Sequence, residues 1–302
     1  MDNSKLHYSV LLTETVESLN INPDGIYVDL TLGMGGHSAA ILSKLKNGKL
    51  YAFDKDDYAL EKSDILLKSI SPNYHLIKSD FKDIKSKLNE LGIYQVDGII
   101  ADLGISSPQV DQADRGFSYN KDAYLDMRMD RTQELTAYKV VNEYSETQLS
   151  DLLWKNADVK LNYKVAKAII VNRPISTTME LVDVIKRVYP AALLKAKNPA
   201  KAVFQALRIE VNNELASLEV MLDDALSLLN KNGVLAIITF HSIEDRIVKT
   251  FFKEQIDNKI PSKMPIMEER KYQIKQIKPS KQELEENRRS RSAKLRVIKK
   301  LV

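Results

Sequence analysis

Apolar and polar positions in the first third of the chain switch between two periods. Ile26-Tyr27-Val28-Asp29-Leu30, Lys49 to Asp54, Tyr74 to Lys78 and Val96 to Asp102 are short, mostly apolar runs bounded by turn residues. Runs of that length and boundary suit buried strands. Between them the apolar residues recur at helical spacing, from His37 to Leu45, then to about Ser69, then to about Leu91. Strand followed by helix, repeated, predicts right-handed crossovers and a parallel sheet covered on both faces.

That rhythm stops after Gln109. As far as about Leu207 no run reads as a buried strand, and helical stretches take over at Ser145 to Trp154, Tyr163 to Asn172 and Met179 to Val188. Arg173-Pro174 and Asn198-Pro199 punctuate them as loops. The sheet pattern resumes with one amphipathic helix from Phe204 to Leu229, a turn at Asn232-Gly233 and a strand from Val234 to Thr239. A helix at Ile243 to Lys253 and two strands around Tyr272 to Ile277 and Ala293 to Ile298 complete the pattern. The expected architecture is α/β, with one domain formed by residues 1–112 and 208–302 and interrupted by an all-helical insertion at residues 113–207.

Composition narrows the picture. The chain has 302 residues, enough for a large core and more than one domain. The longest apolar run, Gly233 to Phe240, is too short for a bilayer span. Met1 to Tyr8 is polar and mixed in charge, unlike a signal peptide, so a cytoplasmic protein without a membrane partner is expected. The absence of cysteine excludes disulfides, thiolate zinc sites and a cysteine nucleophile. His7, His37, His75 and His241 lack metal-ligand spacing, and no metal is expected. Net charge is only +4, but Asn287 to Lys300 carries seven basic residues and no acidic one. Such a segment is either a polyanion contact or a solvated end.

The chemistry-bearing residues follow strand ends. Thr31-Leu32-Gly33-Met34-Gly35-Gly36-His37 follows the first strand and opens a helix, where glycines allow a tight turn and close backbone approach to a ligand. Asp54 ends the second strand, where a carboxylate accepts hydrogen bonds from ribose hydroxyls. A dinucleotide-binding loop normally has a third small residue where this chain has Ser38. S-adenosylmethionine has no pyrophosphate and does not need that position. After the third strand, Asp80 and Phe81 are placed to meet an adenine amino group and border the base; core packing is the alternative for Phe81. Asp102 ends the fourth strand in Asp102-Leu103-Gly104-Ile105-Ser106-Ser107-Pro108, at the edge where open α/β sheets bind ligands; a helix-capping role is its alternative.

Longer blocks carry a resemblance. H-Y-S-V-L-L from His7, Y-V-D-L-T-L-G-M-G-G-H-S from Tyr27, D-L-G-I-S-S-P-Q from Asp102, R-G-F-S-Y from Arg115 and L-D-M-R-M-D from Leu125 are among them. F-Q-A-L-R-I-E-V-N-N-E-L from Phe204, F-H-S-I-E-D-R-I-V-K from Phe240 and the terminal N-R-R-S-R-S-A-K-L-R extend them. In this order they resemble the 16S ribosomal RNA cytosine-N4 methyltransferase family (RsmH, also called MraW). The resemblance implies a Rossmann-like S-adenosylmethionine-dependent methyltransferase fold with an inserted helical substrate-recognition domain. It implies cofactor contacts from Gly35, Gly36, His37, Asp54, Phe81, Asp102 and Gln109, to which the glycine loop adds Gly33 and the third strand end adds Asp80. It also implies 16S rRNA within the small ribosomal subunit as substrate, and a homodimer. Asn156-Ala157-Asp158-Val159 stands where the family pattern has Tyr-Gly-Glu-Glu.

The implied reaction moves a methyl group to an exocyclic amino nitrogen whose lone pair is delocalised into the ring. Catalysis then depends on positioning and on an acceptor for the amino hydrogens, for which Asp102 is the first candidate. Ser242, His241 and Asp245 contain triad residue types, but they lack a nucleophile elbow and are too close in sequence to act as one. A base must be turned out to react. Arg115, Phe117, Tyr119, Arg128 and Arg131 are expected to offer stacking and phosphate contacts, and the methionines of L-D-M-R-M-D to pack in the core.

Overall fold

A computed structural model describes residues 9–196, 198–256 and 270–302. The block beginning at His7 starts outside them. The chain forms two compact units, one made of Met1–Gly104 and Ser217–Val302, the other of Ile105–Ala216.

The first unit is built on a seven-stranded sheet of order β3-β2-β1-β4-β5-β7-β6. Its strands are β1 (Ile26–Asp29), β2 (Lys49–Asp54), β3 (Tyr74–Lys78), β4 (Val96–Asp102), β5 (Leu229–Thr239), β6 (Tyr272–Ile277) and β7 (Lys294–Lys300). Strands β1 to β5 pair in parallel, whereas β7 runs antiparallel to both β5 and β6. Helices α1 (Leu12–Ser18), α2 (Gly36–Leu42), α3 (Asp57–Lys68) and α4 (Ile84–Glu90) belong to its first half.

The sheet's two cores follow the period of a strand. Val28, Leu30, Ile99, Ala101, Leu235 and Ile237 pack on one face, and Tyr27, Ala52, Ile100, Ala236 and Ile238 pack on the other. Burial on both faces explains why these strands read as apolar runs rather than alternating ones. Strand order reverses between β1 and β4, so the carboxyl ends of β2, β1, β4 and β5 border the crevice where such sheets bind ligands.

The second unit contains α5 (Ser107–Asp111), α6 (Ala137–Glu143), α7 (Glu146–Ala157), α8 (Asn162–Val171), α9 (Thr178–Val188), α10 (Ala191–Ala196) and α11 (Ala200–Asn212). Its separate core includes Leu149, Leu153, Val165, Ile169, Leu181, Ile185, Val203 and Leu207. Capping boxes at Ser145/Gln148 and Thr177/Glu180 set where α7 and α9 begin. Among its described residues, the unit's only β pairing is an antiparallel bridge between Tyr124 and Thr177.

Three sequence expectations are corrected. The helix read from Phe204 to Leu229 is two helices, α11 and α12 (Glu214–Leu228), separated by Asn213 at φ 52°. Asparagine tolerates that left-handed conformation, so apolar periodicity continues across a break in the backbone. Asn232-Gly233 does not precede the strand, because β5 begins at Leu229. Asn232 at φ 66° instead lies inside that strand, where the β4–β5 register shifts from Val96–Leu229 to Gly98–Val234. The helical unit also begins earlier and ends later than residues 113–207. Ile105 packs on its core, as do Phe204, Leu207 and Val211 of α11.

After α12 come α13 (Ser242–Ile256) and α14 (Lys281–Glu286). Among the described residues, no helix is long and apolar enough to cross a membrane.

Candidate active site

The glycine loop is held to its neighbours by backbone-directed carboxylates. Asp29, buried at the end of β1, accepts from Thr31 N at 3.0 Å and from the Ser38 hydroxyl at 2.7 Å. Asp54, at the end of β2, accepts from Gly33 N at 2.8 Å and Asp56 N at 2.9 Å. Ser63 Oγ donates to the Gly33 carbonyl at 2.8 Å, closing the loop from α3. Asp102 N donates to Thr31 Oγ1 at 2.6 Å, tying the end of β4 to the same loop.

Glycine is required here for two different reasons. Gly35 has φ +78°, and a Cβ there would lie 3.0 Å from Ser63 Oγ. At Gly36 a Cβ would come within 2.0 Å of Ser9 Oγ. The first position needs left-handed backbone and the second needs space.

Charge is concentrated at this edge of the sheet. Burial raises the pKa of both Asp29 and Asp54 to about 6. Burial, followed by the negative charges of Asp29 and Glu244, raises Asp102 well above its ordinary value. Asp102 Oδ1 is buried and has no hydrogen-bond partner among the described residues. Its Oδ2 lies 3.9 Å from His37 Nδ1. His37 is itself buried, with Nε2 3.1 Å from the Val10 carbonyl, and burial lowers its pKa to about 4. A neutral ring that donates from Nε2 turns the lone pair of Nδ1 toward Asp102. The carboxylate therefore faces an acceptor, not a cation.

Buried Glu244 caps the start of α13, accepting from Phe240 N at 3.0 Å and His241 N at 3.3 Å. Its Oε1 lies 2.8 Å from His241 Nε2. Asp245 is engaged by Lys294 and Arg296, each at 2.7 Å. Ser242, His241 and Asp245 thus do not form a triad.

The structure brings Gly33, Gly35, Gly36, His37, Asp54 and Asp102 around one loop. Asp80 has protein partners on both oxygens. Oδ1 accepts from Lys82 N at 3.1 Å, while Oδ2 takes Lys55 Nζ at 3.0 Å and the Ser217 hydroxyl at 3.2 Å. It is also the N-cap of the short 3₁₀ turn Phe81–Asp83. Phe81 is partly buried against the sheet core. Gln109 belongs to the second unit, is buried, and accepts from Ser106 N at 3.0 Å in the capping box of α5. Sequence reasoning passed over Asp29 and Glu244. The visible signal for Asp29 was an acid inside an apolar strand, and for Glu244 an acid three residues after His241.

Residues 4–301 match the MraW methylase family. The chain belongs to that family. It is a methyltransferase, and S-adenosyl-L-methionine is its methyl donor. It is 60% identical over 98% of its length to "Ribosomal RNA small subunit methyltransferase H" of Mycoplasmopsis agalactiae, covering 99% of that protein. The similarly named protein of Mycoplasmopsis synoviae is 56% identical, with 98% of each chain covered. Among solved structures, an rRNA methylase from Streptococcus thermophilus matches at a TM-score of 0.43 and 14% identity, over 97% of this chain and 98% of that one.

In this MraW-family methylase the residues expected to stack on or clamp RNA have other work. Arg115 is buried and donates to the carbonyls of Arg128 and Met129 at 3.0 and 3.1 Å. Phe117 is a core residue, and Tyr119 meets Phe204 edge-on at 5.9 Å between ring centres. Arg128 is fixed bidentately by Asp126 at 2.7 and 3.0 Å, and Arg131 pairs with Asp114 at 2.7 Å. Buried Met127 and partly buried Met129 pack in the helical core. Burial takes Arg115 and Phe117 from the surface, whereas Arg131 is exposed and Arg128 partly so; the sequence pattern does not reveal whether an arginine is buried.

Proposed function

We propose that this enzyme transfers the methyl group of S-adenosyl-L-methionine to the exocyclic N4 amino group of a cytidine in 16S rRNA. The observation that carries the reading is Asp102 Oδ1, a buried acceptor left without a partner at the carboxyl end of β4. Leaving a buried acceptor unpaired costs about 1–3 kcal/mol. Such an atom fits a site that a ligand completes.

The surrounding residues fit the cofactor. Gly33, Gly35 and Gly36 permit close approach of a nucleoside to the backbone, and Asp54 has remaining acceptor capacity for ribose hydroxyls. Phe81 borders the base, and Asp80 orders the turn that presents it. His37 and Gln109 complete the contact set implied by family membership. Asp29, Asp102 and Glu244 create a negative environment complementary to a cation. The bound cofactor supplies a sulfonium methyl, electrophilic enough for direct transfer.

Asp102 then has two tasks. It contributes to the field around the cofactor, and its unpaired oxygen accepts a hydrogen bond from the acceptor amino group, orienting the nitrogen lone pair. The helical unit supplies substrate recognition. The same reading includes a small ribosomal subunit as the particle acted on, the cytoplasm as the compartment and a homodimer as the assembly; family membership is its support.

Incubating the enzyme and labelled S-adenosyl-L-methionine with small subunits from cells lacking it, then analysing nucleosides by mass spectrometry, tests the proposal. N4-methylated cytidine in 16S rRNA is expected. Labelling only at another base or atom overturns the acceptor assignment. Failure to bind S-adenosyl-L-methionine overturns the site. The catalytic part is tested separately: Asp102→Ala must slow single-turnover transfer at saturating cofactor. If only cofactor affinity falls, Asp102 is a binding residue.

A further inference from the structure

The helical unit carries an exposed surface that no part of the cofactor site uses. Trp154, the chain's one tryptophan, is 55% exposed on α7, and Tyr163 is 61% exposed on α8. The Asn162 amide donates to the Ser150 carbonyl and hydroxyl at 3.2 and 3.0 Å, clasping the start of α8 to α7. Ser150 lies one turn before Trp154, and Asn162 immediately precedes Tyr163. Both rings are therefore at the loop end of the α7–α8 hairpin.

Around them stand Lys155, Lys160, Lys164 and Lys167, all exposed. None has a carboxylate within ion-pair distance among the described residues. From Trp154 through Val171 the only acid is Asp158. On α8, Tyr163, Lys164, Lys167 and Val171 share one face while Val165, Ala166 and Ile169 fill the core.

What sets these two exposed rings apart is that they are interleaved in sequence with exposed cations that form no ion pair among the described residues. The combination has a chemical reading. Ring faces stack unpaired bases and lysines follow the phosphates, the recognition mode of single-stranded or looped RNA. A hydrophobic protein partner has no comparable use for four cations, and acidic protein segments have little use for two rings.

We infer that the α7–α8 hairpin is an RNA-docking platform, with Trp154 and Tyr163 stacking unpaired bases and Lys155, Lys160, Lys164 and Lys167 contacting the flanking phosphates. The inference rests on the proposed rRNA substrate and names the surface that holds it.

The test uses full-length enzyme, a 16S rRNA transcript and small subunits from cells lacking the protein. Trp154→Ala and Tyr163→Ala are each expected to weaken RNA binding about 10-fold, while Tyr163→Phe, which keeps the ring, binds as wild type. Lys164→Ala with Lys167→Ala should lower the slope of log affinity against log salt by about 2. In turnover assays all the weakened variants should raise KM for the particle and leave kcat and S-adenosyl-L-methionine affinity unchanged.

Wild-type RNA binding by both alanine variants, with wild-type methylation intact, overturns the inference and leaves the function standing. So does a loss confined to self-association in sedimentation, which would make the patch an interface between copies. Binding lost only on particles and kept on naked transcript would assign the surface to a ribosomal protein, also against the inference. Failure of the unmodified enzyme to methylate RNA at all strikes the functional reading instead.

Discussion

Replacing Asp102 by asparagine should stabilise the ligand-free enzyme while damaging its reaction. In the native protein Asp102 Oδ1 is buried and has no partner among the described residues, and Oδ2 faces the unprotonated nitrogen of His37 at 3.9 Å. Asp29 and Glu244 add like charge. The amide removes the charge and offers a donor to His37 Nδ1. It leaves an acceptor at Oδ1 but replaces the acceptor–acceptor contact with His37 by a hydrogen bond, a net gain of about 0.5–1.5 kcal/mol. The charge it removes is one that burial, Asp29 and Glu244 disfavour. At roughly 2–4 °C per kcal/mol for a unit of this size, the apparent Tm should rise by about 1–6 °C. The pH dependence fixes the cause. The folded-state pKa of Asp102 lies well above the ordinary 3.8, so ionisation costs the native state stability as pH rises from 3.8 through the folded value. Asp102→Asn lacks that loss. Its advantage should be absent at pH 4, grow with pH and level off once wild-type Asp102 is ionised. Urea denaturation of both proteins between pH 4 and 8 reads the difference directly. Saturating S-adenosyl-L-methionine should shrink it, because ligand binding favours the carboxylate. A variant less stable than wild type at pH 7, or an advantage independent of pH, would refute the reading of Asp102 as a carboxylate whose charge burial, Asp29 and Glu244 disfavour.

Four further outcomes can be checked. Asp54→Asn should weaken S-adenosyl-L-methionine about 10-fold or more by calorimetry, because hydrogen bonds to charged acceptors contribute about 1.5–3 kcal/mol. Wild-type affinity should rise with pH through about 6 as Asp54 ionises, with proton release on binding, and Asp54→Asn should flatten that dependence. Gly35→Ala should destabilise the loop by about 1–2 kcal/mol for the left-handed backbone alone, read as lower cofactor affinity and a lower Tm. Arg115→Ala should lower the Tm of the helical unit by leaving the Arg128 and Met129 carbonyls without its guanidinium, at about 1–3 kcal/mol each; loss of RNA affinity without loss of stability would contradict its structural role.

The sheet was readable because buried parallel strands need apolar runs, which β1, β2 and β4 supply between helical repeats; β3, at the sheet edge, is mostly half-buried or exposed. Glycine positions and acids at strand ends were readable because backbone conformation and topology restrict those places. Asn213 was not, since a single left-handed residue leaves apolar periodicity undisturbed. The functions of arginines were also hidden. Arg115 and an exposed arginine use the same letter, and only the carbonyls gathered around Arg115 distinguish them. Trp154 and Tyr163 lie in segments correctly read as helical, but their exposure depends on which face meets the rest of the helical core.

The interruption of the sheet also sets an order of events during synthesis. β4 must pair with β5, yet residues 105–216 emerge between them. While that stretch leaves the ribosome, β4 presents an open apolar edge, a surface prone to pairing with other chains. The helical unit has its own core and relies largely on local helices, so it can condense during the wait. Slowing translation just before Leu229 should therefore lengthen the interval of greatest aggregation risk, even though the finished protein is unchanged.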